Sequence, residues 1–210
     1  MKLKEFVKRY GEPYSKRLGI DLTAGRSGEV FKWFLASILY GKPIRESSAT
    51  KTYKCFEKRR ILSPEKILQT GWDGLVSILD EGGYTRYDFS TATKLLDVAG
   101  KLMERYGGNL NMLHEVAADS RDLEARIMSL GKGLGPTTTS IFLRDMRTIW
   151  SKADPEPTPL VRQAQKSLGI KDLKSCAKRS ETDLVRLETA LLRLAKDFLR
   201  QGLRSPVKRR

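Results

Sequence analysis

A glycine-rich turn between two helical segments is the first part of this chain where residue types and spacing indicate chemistry. The stretch GKGLG at 131–135 contains three glycines, which permit positive φ and a close approach of the backbone to another group. Pro136 follows and can occupy the first position of a helix. The amides of Gly133 and Gly135 at such a helix start can bind a phosphate, because the helix dipole favours negative charge there. Leu134, between them, is expected to pack against the helices below.

The residue types that bind metals are scarce. The chain has two cysteines, Cys55 and Cys176, and one histidine, His114, and the cysteines are in no metal-ligand spacing. These three residues cannot assemble a zinc site or an iron–sulfur cluster by themselves. We therefore expect both cysteines to be small buried residues and His114 to lie on a helix surface.

The charge balance favours an anionic polymer as the partner. In 210 residues, 40 Lys and Arg stand against 25 Asp and Glu, which gives a formal net charge of +15. This excess favours nucleic acid over a membrane surface or an acidic protein. The final residues, RSPVKRR, predict a disordered basic arm that adds non-specific attraction to phosphates.

The sequence indicates neither a membrane span nor a secretion signal. No apolar run approaches the roughly 20 residues that span a bilayer. The first residues, MKLKEFVKRYGE, are charged throughout and lack the apolar centre of a signal peptide. We therefore expect a cytoplasmic protein.

Helical periodicity runs through almost the whole chain and predicts an all-α fold. The strongly apolar stretch 30–39 predicts a buried central helix. Ser63 and Pro64 mark the start of another helix, and Gly71 marks its end. A further helix is predicted over 89–108, where it ends on a glycine pair.

The last part of the chain predicts a further helix after a proline-rich link. Prolines 155, 157 and 159 forbid helix within 152–161. Ser180 and Asp183 are in a capping-box-like arrangement before the final apolar helix. We predict two helical lobes with a cleft between them. The predicted division is one lobe of 1–30 with 150–204, a second lobe of 31–149 that contains a helix-hairpin-helix over about 120–149, and a basic tail at 205–210.

Three segments together resemble the helix-hairpin-helix DNA glycosylases of the endonuclease III superfamily. The turn at 131–135, followed by threonines and an apolar helix, is similar to the family's hairpin. The segment ILYGKPIRESSATKTY, 38–53, resembles the one whose first helix ends at a loop that enters DNA. The segment GGYTRYDFSTATKLL, 82–96, resembles the family's Gly-aromatic turn and helix. The resemblance extends from Phe34 to roughly Val161.

The resemblance implies base excision repair. Members of the family bend duplex DNA, extrude one nucleotide and cut its N-glycosidic bond. Members that also nick the strand carry a lysine at a position that falls on Thr137 here, which implies a monofunctional enzyme without lyase activity. The cysteine quartet that holds the iron–sulfur cluster of many relatives is missing. The alternatives are a bifunctional glycosylase/lyase that uses another lysine and a non-catalytic binder of damaged or bent DNA.

The resemblance leaves the catalytic carboxylate open. The family's spacing, counted from Thr137, favours Asp154 or Glu156. Aligning the next helix instead puts the family's aspartate at Thr158. Asp145 is expected on a helix exterior or in a salt bridge. The damaged base is also open among uracil, hypoxanthine, oxidised purine and alkylated base, with the IFLR run after the hairpin leaning towards the alkylpurine branch.

The resemblance also implies how DNA and the flipped base are held. The partner is double-stranded DNA with a damaged or mismatched base, bound by a monomer associated with the nucleoid. Lys42 lies where family members fill the space left by the flipped base. No cofactor is expected, although the resemblance allows a monovalent cation held by the hairpin carbonyls. Trp72 and Trp150 are expected in the core. The implied DNA contacts are Lys132, Gly133, Gly135, Thr137, Thr138, Lys42, Arg45 and Lys51, and the implied base pocket is Tyr84, Arg86 and Tyr87, with Trp33 and Tyr40 behind them.

Overall fold

The computed structural model of the chain describes residues 1–203 and 205–207. These residues form helices and connecting turns, with no strand among them, so the predicted all-α class is confirmed. No helix in the described part is both long and apolar enough to cross a membrane. The helices in chain order are α1 (Leu3–Tyr10), α2 (Tyr14–Arg17), α3 (Ser27–Tyr40), α4 (Glu46–Lys58), α5 (Pro64–Glu81), α6 (Asp88–Tyr106), α7 (Leu110–Val116), α8 (Ser120–Ser129), α9 (Pro136–Met146), α10 (Pro159–Ser167), α11 (Leu173–Arg179) and α12 (Leu184–Arg193), after which come a π-helical turn (Leu194–Phe198) and a 3₁₀ turn (Leu199–Gln201).

The chain divides into two compact units. One consists of Met1–Gly19 with Glu156–Arg210, and the other of Ile20–Pro155. The second unit contains α3 to α9 and the glycine-rich turn. Most residues that the sequence suggests for function belong to it.

Helix α3 is the core of the 20–155 unit, as its apolar sequence predicts. Apart from Lys32, every side chain from Val30 to Leu39 is buried. The indole of Trp33 donates to the carbonyl of Phe142 at 3.0 Å, which ties α3 to α9. Phe34 adds an edge-to-face contact with the Phe142 ring, with centroids 4.9 Å apart. The position of α9, and of the turn before it, therefore depends on α3.

Helix α5 begins at the predicted residue but continues beyond its predicted end. Ser63 is the N-cap, and its hydroxyl accepts from the Lys66 amide at 3.3 Å. Gly71 has φ +68°, which interrupts the helix where the sequence predicted its end. A second helical segment then follows directly and runs to Glu81. The glycine therefore sets a kink between two helical segments.

Helix α6 ends where its glycine pair predicts. Gly107 adopts the left-handed conformation at φ +57°, and its amide donates to Met103 at 3.1 Å. The next amide, of Gly108, donates to Leu102 at 3.0 Å, which completes a Schellman-type end. Helix α6 packs along α5 and reaches the glycine-rich turn. It is therefore the scaffold on which the turn rests.

The unit of 1–19 and 156–210 has its core between α1, α10, α11 and α12. Asp183 caps α12 by accepting from the Arg186 amide at 2.9 Å. Ser180 instead follows the end of α11, where its hydroxyl donates to the Cys176 carbonyl at 2.7 Å. The two residues therefore belong to different helix ends and do not form the predicted capping box.

The C-terminal tail is packed where it is described. Val207 is buried, and the carbonyl of Pro206 accepts from the ammonium of Met1 at 3.2 Å. The predicted disordered arm therefore does not hold for Ser205–Val207. Arg204 and 208–210 lie outside the described residues.

The prediction that both tryptophans lie in the core holds for one of them, and one of the two placements predicted for Asp145 is found. Trp150 is in the core as expected, but Trp72 is 40% exposed, packs on Phe89 and donates to the Thr93 hydroxyl at 3.1 Å. Asp145 is buried and does not lie on a helix exterior, although its salt bridge, with Arg144 at 2.9 Å, is as predicted.

Gly82 tests how tightly α4 and α5 pack in the 20–155 unit. A Cβ at this position would lie 2.5 Å from the backbone Cα of Thr52, which a side-chain rotation cannot relieve. Gly82→Ala should therefore lower the free energy of unfolding by about 1–3 kcal/mol, as overpacking does. The matched control is Gly100→Ala in α6, where a Cβ meets nothing within 4 Å. In that variant the free energy of unfolding, measured by urea denaturation, should rise by about 0.5–1 kcal/mol. Equal stability of the two variants would contradict the packing.

Candidate nucleic-acid interface

The stretch between α8 and α9 is a tight, exposed turn. Gly133 has φ +83°, a conformation that glycine adopts without strain. Leu134 is buried, as expected, and its amide donates to the Gly131 carbonyl at 3.0 Å, which closes the turn. Lys132 and Gly133 are exposed at its tip. The local sequence thus produces an open loop anchored by a single apolar side chain.

Unpaired amides lie at the end of this turn and the start of α9. Among the described residues, there is no hydrogen-bond acceptor for the backbone amides of Gly133, Gly135, Thr137 and Thr138. The Gly135 carbonyl already accepts from the amide of Thr139 at 3.1 Å, so α9 begins there. These amides, on a helix start, can bind an anion such as a phosphate group.

Helix α6 holds the turn by two opposite charges. The buried Lys94 donates from its ammonium to the Gly133 carbonyl at 2.7 Å. One turn along α6, the Asp97 carboxylate accepts from the Lys132 amide at 3.1 Å. A Cβ on Gly131 would lie 2.5 Å from the Val98 side chain, so the turn approaches α6 closely. We call Lys94 and Asp97 with these two backbone groups the turn clamp.

The Lys94 ammonium lies in an unfavourable place for a charge. Burial, followed by the positive charge of Lys42, lowers the pKa of Lys94 from 10.5 to about 8. Asp97 lies on the same helix but is also paired with Lys101 at 3.0 Å. At neutral pH Lys94 remains charged and donates to the turn.

Lys42 connects the turn clamp to an aromatic side chain. Its ammonium lies 5.3 Å from the ring centroid of Tyr87, and the guanidinium of Arg86 lies 5.8 Å from the same centroid. Tyr87 is half-buried and Arg86 is exposed. The structure therefore brings Lys42, Arg86, Tyr87 and Lys94 together. We call Lys42, Arg86 and Tyr87 the basic-aromatic cluster.

Gly41 brings the loop of Lys42 against α9. A Cβ on Gly41 would lie 2.1 Å from the Thr138 hydroxyl oxygen and 3.1 Å from its Cβ. Thr138 is buried, so its side chain packs on this loop while its amide remains at the helix start. Thr137 is exposed. Of the predicted DNA contacts on this helix start, only Thr137 thus presents its side chain to solvent.

The other aromatic residues predicted for the base pocket are placed differently. Trp33 is fully buried at the α3–α9 contact, and Tyr84 is 1% exposed and donates its hydroxyl to the Leu39 carbonyl. Neither ring has a face available to a base, so their predicted role in the pocket is not supported. Tyr40 is half-buried and shares a hydrogen bond with the Thr50 hydroxyl at 2.7 Å.

The remaining predicted DNA contacts lie on α4. Arg45 is the exposed N-cap residue of this helix, and Lys51 is exposed one to two turns later. Both can reach a phosphate from the surface. No contact in the described structure connects either side chain to the turn clamp.

The candidate carboxylates are both paired with arginines. Asp154 lies 3.6 Å from the Nε of Arg147, whose Nη2 donates to the Pro155 carbonyl at 2.6 Å. Glu156 is exposed and pairs at 2.8 Å with Arg162, which is exposed as well. Asp154 belongs to the 20–155 unit and Glu156 to the other. Arg147, which is nearly buried, fixes the segment of Asp154 more firmly than an exposed pair can fix Glu156.

Thr158, where the alternative alignment puts an aspartate, is a helix N-cap residue. It precedes α10, but its side chain makes no capping hydrogen bond. Its hydroxyl is buried, and no partner for it is present among the described residues. A threonine hydroxyl at this position cannot supply an anionic carboxylate.

No metal site is formed by the described residues. No group of three or more His, Cys, Asp or Glu is close enough to hold an ion in this part of the chain. Both cysteines are buried and unbridged, as expected. His114 is not a surface residue: it is half-buried and stacks on Trp150, with centroids 4.9 Å apart. Burial lowers the pKa of His114.

The turn also does not fit the monovalent cation that the family resemblance allows. The Gly133 carbonyl already accepts from the Lys94 ammonium. A free cation at the same carbonyl would lie near that ammonium, and two unit charges about 4 Å apart repel by about 4 kcal/mol at an effective dielectric constant of 20. The positive charge that a bound cation would place at this carbonyl is therefore already supplied by Lys94.

Sequence reasoning missed Lys94 and Asp97, although a signal for Lys94 was present. Thr91, Leu95 and Val98 are the buried stripe of α6, and Lys94 falls within the same stripe by its helical spacing. A lysine at such a position must have a partner, because burying an unpaired charge is costly. The sequence gives no indication of which backbone carbonyl that partner is.

Lys94 predicts an unusual dependence of stability on pH. Its pKa is about 8 in the folded chain and 10.5 in its ordinary state, so the unfolded chain binds more protons between these values. The free energy of unfolding should therefore rise by roughly 3 kcal/mol from pH 8 to pH 10.5, at about 1.4 kcal/mol per unit of pKa difference. Urea denaturation of wild type and Lys94→Met should diverge over this range. Lys66→Met removes an exposed lysine of α5, and its free energy of unfolding should change with pH as that of wild type does. The same change with pH in Lys94→Met would contradict the prediction.

Comparisons with known proteins identify no relative. No protein-family model matches the chain, and neither the curated proteins nor the solved structures contain a match. The function of the site must therefore be inferred from its residues and their geometry.

Proposed function

We propose that this chain is a monofunctional DNA glycosylase. It binds duplex DNA with a damaged or mismatched base, flips that base out, and hydrolyses its N-glycosidic bond. The observation that carries the proposal is the exposed glycine turn, because its unpaired amides are fixed by α6 in a chain of net charge +15. Phosphate binding at a helix start accounts for these features together.

In this proposal α8, the turn and α9 are the helix-hairpin-helix, and the two compact units are the two lobes. The amides of Gly133 and Gly135 bind a backbone phosphate, and the exposed Lys132 adds a positive charge beside them. Arg45 and Lys51 on α4 contact further phosphates. These contacts carry no base sequence information, which suits an enzyme that must scan DNA for lesions.

The basic-aromatic cluster takes part in base extrusion. Lys42 enters the duplex and fills the space that the flipped base leaves. Tyr87 offers a ring for stacking, and its neighbour Arg86 can bind a phosphate or stack on a base. Extrusion costs a few kcal/mol, and least at a damaged or mismatched pair, which contributes to selectivity.

The residues near the hairpin support hydrolysis over strand cleavage. Thr137 is exposed where lyases of this family carry their lysine, and a hydroxyl cannot form a Schiff base with the sugar. Hydrolysis needs a carboxylate that stabilises positive charge on the sugar and orients water. Asp154 is the better candidate, because Arg147 holds its segment. Glu156 remains the alternative.

A non-catalytic binder of damaged or bent DNA is the second candidate. It is favoured by one observation: both carboxylates form ion pairs, and Thr158 occupies the position that the alternative alignment gives to an aspartate. The turn clamp and the basic-aromatic cluster would serve such a protein equally well. Only an assay that separates binding from excision distinguishes the two functions.

Asp154→Asn should slow excision strongly without abolishing DNA binding. Removing the anionic carboxylate while keeping its shape should slow base release by about 10²–10⁴-fold. The measurement is release of free base from duplexes that carry uracil, hypoxanthine, oxidised purines or alkylated bases, with affinity measured on the same duplexes. Glu156→Gln is the matched control and should retain most of the activity, because Glu156 pairs with an exposed arginine, whereas Asp154 pairs with the nearly buried Arg147.

Two results would overturn the proposal. Wild type that binds these duplexes tightly yet releases no base would favour the non-catalytic binder. A covalent adduct trapped by borohydride on damaged duplex would instead show a lysine nucleophile and a bifunctional enzyme. Loss of activity in Glu156→Gln alone would transfer the catalytic role to Glu156.

The salt dependence of DNA binding tests the role of the turn separately from the chemistry. The logarithm of the affinity should fall linearly with that of the salt concentration, with a slope of about −0.9 for each phosphate contact. Lys132→Gln should make the slope less negative by about 1. Lys66→Gln removes an equal charge that no contact connects to the turn, and it should leave the slope unchanged. A flat salt response of wild type would contradict phosphate binding.

A further inference from the structure

The turn clamp contains an ammonium in contact with a backbone carbonyl. Lys94 is 7% exposed, and its Nζ lies 2.7 Å from the carbonyl oxygen of Gly133, 39 residues further along the chain. A Cβ on Gly133 would lie 3.2 Å from Nζ and 3.3 Å from Cε. The end of the lysine side chain therefore rests directly against the tip of the turn.

A second contact of the turn clamp, made by Asp97, fixes the orientation of the turn. Asp97 lies almost one helical turn after Lys94 and accepts from the Lys132 amide. The Asp97 carboxylate thus binds the amide of Lys132, and the Lys94 ammonium binds the carbonyl of the next residue, Gly133. The Lys132 amide and the Gly133 carbonyl point towards α6, while the amides of Gly133 and Gly135 have no acceptor among the described residues.

The charges around Lys94 leave no place for a second cation. Lys42 acts on it from the loop after α3, and Lys101 lies on the same helix as Asp97, with which it is paired. The carboxylate of Asp97 is therefore already shared between Lys101 and the Lys132 amide. A free metal ion would meet positive charge from Lys94 and Lys42 and would find the nearest carboxylate engaged.

We infer that Lys94 is an internal cation that replaces a bound monovalent ion at the turn, so that the phosphate-binding geometry of the turn does not depend on Na⁺ or K⁺. Its ammonium polarises the Gly133 carbonyl and restricts rotation of the Gly133–Leu134 peptide group. The consequence for DNA affinity rests on the proposed function. The positioning of the turn itself does not, because both halves of the clamp are contacts within the chain.

The test compares DNA affinity in three salts at equal ionic strength. Wild type and Lys94→Ala are titrated at pH 7 with an undamaged duplex in about 0.1 M potassium, sodium or tetramethylammonium chloride, where screening is the same. Wild type should bind within about twofold in all three salts. Lys94→Ala should lose about tenfold or more in tetramethylammonium, because it loses a charge-assisted hydrogen bond. Potassium, small enough to enter the vacated space, should restore a large part of that loss.

Three outcomes would overturn the inference. Wild type that binds several-fold better in potassium than in tetramethylammonium would show that an ion is still needed. Lys94→Ala that binds like wild type would show that the ammonium does not position the turn. An equal loss of DNA affinity by Lys94→Ala in all three salts would show that Lys94 acts only as a packing contact. Lys66→Ala is the control for the loss of one positive charge, and circular dichroism verifies that each variant is folded.

Hydrogen exchange separates this inference from the proposed function. If wild type binds no duplex, the DNA-binding function fails, but the clamp can still be measured by amide exchange at 131–135 in the same salts. The Lys132 amide should be protected equally in all three for wild type, because Asp97 accepts it. In Lys94→Ala the turn should exchange faster in tetramethylammonium than in potassium. Exchange that is unchanged by the substitution would overturn the inference on its own.

Discussion

The hold of α6 on the glycine-rich turn is the interaction on which the candidate site depends. A turn of five residues with three glycines has high conformational freedom, and its unpaired amides would otherwise sample many directions. Lys94 and Asp97 restrict this freedom by binding the Gly133 carbonyl and the Lys132 amide, which belong to the peptide groups on either side of the Lys132–Gly133 peptide. Preorganisation of this kind matters for anion binding, since the cost of ordering is met during folding and not during association.

Burying the Lys94 ammonium lowers the stability of the fold, but the same ammonium holds the glycine-rich turn. Desolvation lowers the pKa of Lys94, which means that the folded chain would be more stable with a neutral side chain there. A neutral side chain, however, could not polarise the Gly133 carbonyl to the same degree. Stability and positioning of the turn are therefore in opposition at this one residue, as is common at functional sites.

Much of the fold could be predicted from sequence because its signals are local. The apolar stretch of α3, the Ser63–Pro64 helix start and the Gly107 end depend on residues close in the chain. The burial of Tyr84 could not, because its hydroxyl bonds to a carbonyl 45 residues away. The same applies to the site: the glycines of the turn are visible in sequence, whereas the residues that position it lie on another helix. The choice between Asp154 and Glu156 as the proposed catalytic carboxylate stayed open, because their segment has no regular period from which to count.

The contact of Gly41 with Thr138 has a mechanical consequence. Because Gly41 has no side chain, the loop of Lys42 lies directly against Thr138 in the first turn of α9, and closely packed groups transmit displacements to one another. A displacement of the amides at the start of α9 should therefore also shift the loop that carries Lys42. If the turn binds a backbone phosphate as proposed, the contact between Gly41 and Thr138 also sets the depth to which Lys42 reaches into the duplex.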